Sequence, residues 1–421
     1  MVGFMTINFI FFVGLARLLQ FHTGGILYGP DILLTASIPI FIFSRGNLLD
    51  ERWTLRAFLF IGFWFIGALI SDIYNATPAE DLVRGWSKII FFCTDLSGLI
   101  LLTKRDYRLL VSFVLGLSCS YLIEAQLFPS ELMQLEPWKF GYSQGLTPLV
   151  VVIASTRSVQ RRFGLVGSAT LLLGIAAINL AFNFRSMFAI SAAAGMLCLV
   201  KAAIDMRPER RFRFNPVTFA VLMLGGWIAS SGLIAVYSEA ASSGILGIEA
   251  KDKYEKQSSG DLYFLQAGRA ESLVSAQAIA DSPILGHGSW ARDATYVALL
   301  AGLLEEHGVG TFGDVTASSL IPSHSHLLGS WVEAGILGGL FWILILVVTI
   351  LAIYKSLKYE QLYFPFVAFS LVLLDWDILF SPLGGDQRFL TASRICVALF
   401  VLGKPRRLDR VMSPVGPEDE R

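Results

Sequence analysis

The sequence contains little charge for its length. Asp, Glu, Lys and Arg make up 16% of the 421 residues, whereas a soluble domain usually carries about a quarter. Hydrophobic residues make up 54%, and the formal net charge is zero. This composition excludes a nucleic-acid partner held by net positive charge, and it indicates that lipid is the solvent for most of the chain.

Motifs for metals and nucleotides are scarce as well. The four cysteines lie in separate apolar runs without a CxxC pair, so we expect them to pack between helices. The sequence has no HExxH pair and no GxxxxGK[ST] loop. Among the five histidines only His324 and His326 stand close together. We therefore expect no metal site and no cofactor.

Long apolar runs dominate the chain instead. A helix needs about 20 mostly apolar residues to cross about 30 Å of hydrocarbon. The runs predict an all-α, polytopic bundle of twelve spans, and the first run favours a membrane span over a removable signal peptide. The predicted spans lie at about 4–20, 26–43, 56–72, 84–103, 107–124, 143–156, 164–182, 186–204, 217–237, 327–354, 362–380 and 389–403.

Basic residues alternate between the connections. Lys and Arg concentrate in every second connection and in the tail, whereas connections of the other parity are poor in them and several are acidic. The positive-inside rule then places both termini in the cytoplasm. The predicted organisation is spans one to nine in 1–237, an extracytoplasmic loop with amphipathic helices in 238–326, spans ten to twelve in 327–403 and a cytoplasmic tail in 404–421.

The long segment 238–326 carries a helix pattern of its own. Residues 270–280 have apolar side chains at helical spacing, and Pro283 and Gly286 end the pattern. Arg269 stands directly before it, where a positive charge opposes the helix macrodipole. Arg269 could be a solvated surface residue, or it could bind an external anion. Gly286 and Gly288 then form a turn of small residues around His287.

Two further positions could carry chemistry at the membrane edge. Arg185 lies between two predicted spans without a polar loop beside it, so it either snorkels to the interface or binds an anion such as phosphate. His324 stands where the loop meets the tenth span, and histidine is the side chain that most readily exchanges a proton near neutral pH. Glu333 and Gly335 follow where the chain enters the membrane again.

Acidic residues inside the predicted spans support a competing hypothesis. Asp95, Asp375 and Asp377 lie within or near spans, and such acids often mark ion or proton pathways. The alternative is that they form structural ion pairs with Arg388 or Lys88. An ion pathway is typical of a transporter, which would place its essential polar groups near the bilayer midplane around Asp95.

Two stretches of the sequence resemble a known family. GRAESLVSAQAIADSPILGHG, followed by HSHLLGSWVEAGILG, is similar over residues 268–339 to the signature of the O-antigen ligases and polysaccharide polymerases. These are bacterial enzymes of the cytoplasmic (inner) membrane. The resemblance implies a metal-independent glycosyltransferase with an extracytoplasmic active site. Its donor is a saccharide on a polyprenyl diphosphate such as undecaprenyl diphosphate, and its acceptor is a saccharide or a lipid-core sugar.

The resemblance also implies roles for individual residues. Arg185 and Arg269 would hold the donor diphosphate, and His324 would act as the base on the acceptor hydroxyl. Supporting positions would be His326, Glu333, Gly286 and Gly288. The resemblance does not distinguish a polymerase from a ligase. Two other functions remain open: a transporter of a lipid-linked saccharide or small anion, and a scaffold without catalytic activity.

Overall fold

The protein is all-α in its architecture. The computed structural model describes residues 4–22, 24–45, 47, 51–206, 242–243, 270–306, 319–359, 361 and 363–403. The helices are α1 (Phe4–Leu15), α2 (Gly29–Arg45), α3 (Arg52–Tyr74), α4 (Ala79–Thr103), α5 (Tyr107–Leu127), α6 (Glu131–Leu135), α7 (Ser143–Ala154), α8 (Arg157–Ala181), α9 (Arg185–Asp205), α10 (Ala270–Asp281), α11 (Ala294–Glu306), α12 (His326–Lys358), α13 (Phe364–Phe380) and α14 (Gln387–Leu402). One hairpin pairs β1 (Gln20–His22) with β2 (Ile26–Tyr28) in antiparallel register.

Helices occupy the predicted span positions wherever the structure describes them. The ninth predicted span, 217–237, lies outside the described residues. Within those residues, six helices are long and apolar enough to cross a membrane, namely α3, α4, α5, α8, α9 and α12. The other helices at predicted span positions are shorter, and α7 has only 12 residues after a π-helical turn at Trp138–Tyr142. The structure thus agrees with a helical membrane protein.

Two of the long helices contain a break. In α8 the backbone leaves helical geometry at Gly164 (φ 63°, ψ −164°), which is where the sequence predicts the seventh span to begin. In α12 the break falls at Ala334 (φ −117°, ψ 15°) and Gly335 (φ 61°, ψ −156°), inside a run that the sequence predicts as one continuous span. The second break shapes the candidate site.

An aromatic cluster joins α3, α4 and α12 at the centre of the bundle. Trp64 stacks on Phe341 with ring centroids 5.3 Å apart, and Trp342 meets Trp64 edge to face at 5.7 Å. Phe92 from α4 completes the cluster, and all four rings are fully buried. α3 packs along α12, and this cluster is part of their contact.

A second, smaller core lies under α10 and α11. Ala270, Val274 and Ala278 form a buried stripe at intervals of four residues, as the predicted amphipathic pattern requires. The stripe packs against Tyr296 and Leu300 of α11 and against Ile321 and Val332. The segment 319–321 is tied to 291–293 by two backbone hydrogen bonds of 2.9 Å. This core holds α10 and α11 against the start of α12.

Candidate active site

The break in α12 is filled by the turn at 284–288. A broken helix leaves backbone carbonyls without donors, and inside a protein they need other partners. The His287 amide donates to the Val332 carbonyl (2.7 Å), and the Gly288 amide donates to the Glu333 carbonyl (3.2 Å). In the opposite direction, the Ile336 amide donates to the Ile284 carbonyl (3.3 Å). The turn and the break therefore stabilise each other.

Gly286 and Gly288 are needed for this docking. Both have positive φ angles, 75° and 89°, which favour glycine. A Cβ at Gly286 would lie 2.6 Å from the Gly335 nitrogen, so no side chain fits there. The Gly288 amide also bonds to Ser71 Oγ (2.9 Å). Both glycines therefore allow the turn to dock against the break in α12.

The residues on either side of this turn are anchored as well. Ser289 donates to Asp72 from its amide (2.6 Å) and from its hydroxyl (2.8 Å). His287 Nε2 lies 2.8 Å from the Ala278 carbonyl, and its ring meets Tyr296 edge to face. Burial and a hydrogen bond to Asp281 (2.7 Å) raise the pKa of Tyr296, which keeps this phenol a proton donor.

A cavity of about 450 Å³ opens beside the docked turn. It lies between the first turns of α10 and α12, the 320–323 segment and the 382–384 loop, and Lys88 of α4 closes one side. The polar and aromatic side chains among its described lining residues are Lys88, Glu271, Trp290, Ser323, Ser325, His326, Ser330 and Glu333. A volume of this size is within the range of small-molecule sites.

Lys88 and Glu333 form an ion pair at the cavity wall. The Lys88 ammonium donates to Glu333 Oε2, although the two residues are 245 positions apart in sequence. The Lys88 side chain is 9% exposed and that of Glu333 is 19% exposed. A charge this deeply buried needs an opposite charge beside it, and here the ammonium and the carboxylate each provide the other's partner.

His324 and His326 have different environments. His324 is half-exposed, and its Nδ1 lies 3.9 Å from Glu271 Oε2. His326 is fully buried, with Nδ1 2.6 Å from the Ser381 carbonyl and Nε2 3.1 Å from Thr391 Oγ1. Because both ring nitrogens of His326 are engaged, this residue positions the start of α12, while His324 stays open to solvent.

Ser325, between these histidines, begins α12. Its hydroxyl accepts from the Leu328 amide (3.0 Å) and donates to the Ile378 carbonyl (2.8 Å). It is therefore an N-cap that also ties α12 to α13.

The two predicted arginines lie elsewhere or outside the described residues. Arg185 is the first residue of α9 and is half-buried, with Nε 3.4 Å from Asn183 Oδ1. Arg185 is not among the described residues that line the cavity. Arg269 lies outside the described residues, and Ala270 after it is buried at the start of α10. A shared diphosphate site for both arginines therefore stays a prediction.

The intramembrane acids have different surroundings. Asp377 pairs with Arg394, not with Arg388 or Lys88 as the alternative assumed. Arg388 instead binds Asp31, at 2.8 Å and 3.2 Å.

Two of these acids have carboxyl oxygens to which no described residue donates a hydrogen bond. Asp95 is fully buried, and no donor among the described residues bonds to either of its oxygens. Asp31 and Arg388 are close enough to act on it electrostatically. Oδ1 of Asp375 is also buried without a described partner.

Sequence reasoning did not select three residues of this cavity as functional. Lys88 had a signal, because a lysine inside a predicted span requires a partner or a polar cavity. For Trp290 and Glu271 the sequence carries no signal that distinguishes them from other loop residues, because only the folded turn and α10 bring them to the cavity.

Comparison with known proteins adds no family assignment. No family model matches this chain, and no curated protein matches it. The functional conclusion therefore rests on the site and on the resemblance of the 268–339 segment.

Proposed function

We propose that this chain is a membrane glycosyltransferase of the O-antigen ligase and polysaccharide polymerase type. It transfers a saccharide from a polyprenyl diphosphate to an acceptor hydroxyl, either on another lipid-linked repeat or on a lipid-core sugar. One observation carries the proposal. Apart from Lys88 and the 382–384 loop, the described residues that line the cavity all belong to 268–339, the segment whose sequence resembles that family.

The cation at the cavity wall suits a diphosphate leaving group. Negative charge grows on the diphosphate as its bond to the sugar breaks, and fixed cations stabilise that charge. Lys88 brings one such cation to the wall. An ammonium has three donors and Glu333 engages one of them, so donors remain for phosphate oxygens. The proposal also keeps Arg185, which does not line the cavity, and Arg269, which lies outside the described residues, as guanidinium groups for the phosphates.

His324 is suited to act as the base. Its imidazole is half-exposed, and its Nδ1 lies 3.9 Å from Oε2 of Glu271, which lines the cavity. In the proposed reaction the ring accepts the proton through Nε2 and the Glu271 carboxylate faces Nδ1. The acceptor oxygen bonds to the anomeric carbon of the donor sugar, and the bond from that carbon to the phosphate oxygen breaks. The electron pair stays on the lipid diphosphate, and the hydroxyl proton moves to His324 Nε2.

The proposal includes a topology. Twelve spans with both termini in the cytoplasm would place His324 outside the inner membrane and Arg108 inside the cell. Both side chains are about half-exposed, at 48% and 54%. In a protein whose native cysteines are replaced, a membrane-impermeant maleimide should label His324→Cys in cells with a permeable outer membrane. It should label Arg108→Cys only after lysis. The reverse pattern would refute the topology.

Transfer by the purified full-length chain tests the activity. The protein is incubated with polyprenyl diphosphate oligosaccharide and an acceptor, and the product is followed by mass spectrometry. His324→Ala should lower the rate by about 100-fold or more, which is the usual contribution of a general base. His22→Ala, on the exposed β1, is the matched control and should retain the wild-type rate. Equal rates in both variants would refute the role of His324.

One observation favours a transporter as the second candidate. Asp95 is a fully buried carboxyl beside Asp31, and in the described part of the chain no nitrogen donor bonds to it. Buried acids of this kind are what ion-coupled transporters use. In proteoliposomes a transporter would move the lipid-linked saccharide without forming product, and Asp95→Asn would stop that movement. Under the glycosyltransferase proposal, Asp95→Asn should retain transfer activity.

A further inference from the structure

Trp290 is a large aromatic residue that the hydrophobic cores do not use. It lines the cavity and is half-buried, and it belongs to neither of the two described cores. Its indole N–H donates to no acceptor among the described residues. A tryptophan at such a position exposes both an aromatic face and a hydrogen-bond donor to whatever enters the cavity.

The backbone holds Trp290 in a conformation that a bulky residue rarely adopts. Its φ angle is 54°, in the left-handed region where a side chain costs energy. Residues held this way cluster at functional sites, because the surrounding structure must enforce them. Here Ser289 is bonded twice to Asp72, and the Ala291 carbonyl accepts from the Ile321 amide at 2.9 Å. The anchors on both sides therefore fix the position of the indole.

The surroundings of the ring suit a glycosyl phosphate. The Lys88 ammonium and the Arg84 guanidinium each lie 5.9 Å from the ring centroid. A pyranose presents one apolar face of C–H groups, which pack on the electron-rich face of an aromatic ring. Its hydroxyls can bond to carboxylates and hydroxyls such as those of Glu271 and Ser323 in the same cavity. A phosphate on the stacked sugar would remain near Lys88.

We propose that Trp290 is the platform for the pyranose that is attached directly to the donor diphosphate. The cavity then selects a glycosyl diphosphate over the bare lipid diphosphate, and Trp290 determines that selectivity. This inference rests on the proposed glycosyltransferase function, since it assigns the sugar subsite of the same cavity.

Binding of two lipids to the full-length protein in nanodiscs tests the inference. One probe is polyprenyl diphosphate with a single N-acetylhexosamine, and the other is the same lipid diphosphate without sugar. Trp290→Ala should weaken binding of the sugar-bearing probe by about tenfold and change binding of the bare diphosphate less than twofold. Trp290→Phe should retain most of the selectivity. Lys88→Met should weaken both probes by the same factor.

The matched control is Trp53→Ala. Trp53 also lies under an arginine, with Arg56 Cζ 4.7 Å from its ring centroid, but it is at the start of α3 and does not line the cavity. Its loss should leave the preference for the sugar-bearing probe unchanged.

The outcomes separate this inference from the proposed function. If Trp290→Ala weakened binding of both probes equally, or of neither, the sugar platform would be overturned even if the wild-type protein transfers saccharide. Conversely, Trp290-dependent binding of the sugar-bearing probe by a protein that transfers nothing would support the platform and refute the glycosyltransferase. Equal binding of both probes by the wild-type protein would also overturn the sugar platform.

Discussion

Replacing Gly335 by alanine should separate the turn at 284–288 from α12. Gly335 has φ 61° and ψ −156°, a combination that is essentially restricted to glycine. A Cβ there would collide with the Ile284 carbonyl oxygen and would lie 2.8 Å from the Leu285 carbonyl carbon. Both contacts are with backbone atoms, which cannot rotate away as a flexible side chain could.

The expected cost is about 3 kcal/mol of unfolding free energy. A forbidden backbone conformation costs of order 1–3 kcal/mol, and the collision with the Ile284 carbonyl moves the value to the upper end. Relief of the collision requires the turn to move. That movement would break the hydrogen bonds to the Val332 and Glu333 carbonyls and disturb the ion pair of Glu333. The rate of the proposed glycosyl transfer should therefore fall together with stability.

The assay is thermal unfolding of the purified protein in detergent, followed by intrinsic fluorescence, alongside the transfer rate. Gly174→Ala is the matched control, because Gly174 lies within α8 and a Cβ there meets nothing within 4 Å. That substitution should be neutral or should stabilise by up to about 1 kcal/mol. If Gly335→Ala were as stable as Gly174→Ala, the reasoning about the helix break would be refuted.

Three further predictions concern the cavity wall. Lys88→Met should lower the free energy of unfolding by about 2 kcal/mol because Glu333 loses its partner. The double variant with Glu333→Leu should recover more than half of that loss in thermal unfolding. A double variant less stable than Lys88→Met would contradict the pairing argument. Trp290→Gly should be about 1 kcal/mol more stable than Trp290→Ala, since both lack the ring but only glycine accepts φ 54° without strain; equal melting temperatures would argue against that strain. Asp72→Asn should speed hydrogen exchange at the Ser289 amide at least tenfold, because a charge-assisted bond contributes about 1.5–3 kcal/mol; unchanged exchange would show that the bond to Asp72 does not hold the turn.

Apolar runs predicted the helices because the membrane requirement is local. About 20 apolar residues suffice to cross the hydrocarbon, and no distant partner enters that condition. The break at Gly164 coincides with the predicted start of the seventh span, where the run of apolar residues after Arg162 begins. The amphipathic helix α10 was predictable for the same reason, since its buried residues recur every four positions.

The break in α12 was not predictable from the same signal. Hydropathy is continuous across Ala334 and Gly335, and the donors that compensate for the break come from His287 and Gly288, more than 40 residues earlier in the chain. The ion pair of Lys88 with Glu333 is likewise set by tertiary packing of α4 beside α12. A buried lysine signals only that a partner exists, and it does not identify the partner.

Photo-crosslinking of the donor tests the central claim most directly. The probe is a polyprenyl diphosphate saccharide with a diazirine on the sugar, and mass spectrometry locates the crosslinked peptides. The cavity predicts crosslinks at Trp290 and within 320–323, which unlabelled donor competes away and which Trp290→Ala reduces. Crosslinks confined to the helices around Asp95, or crosslinks that unlabelled donor does not displace, would contradict a donor site in this cavity.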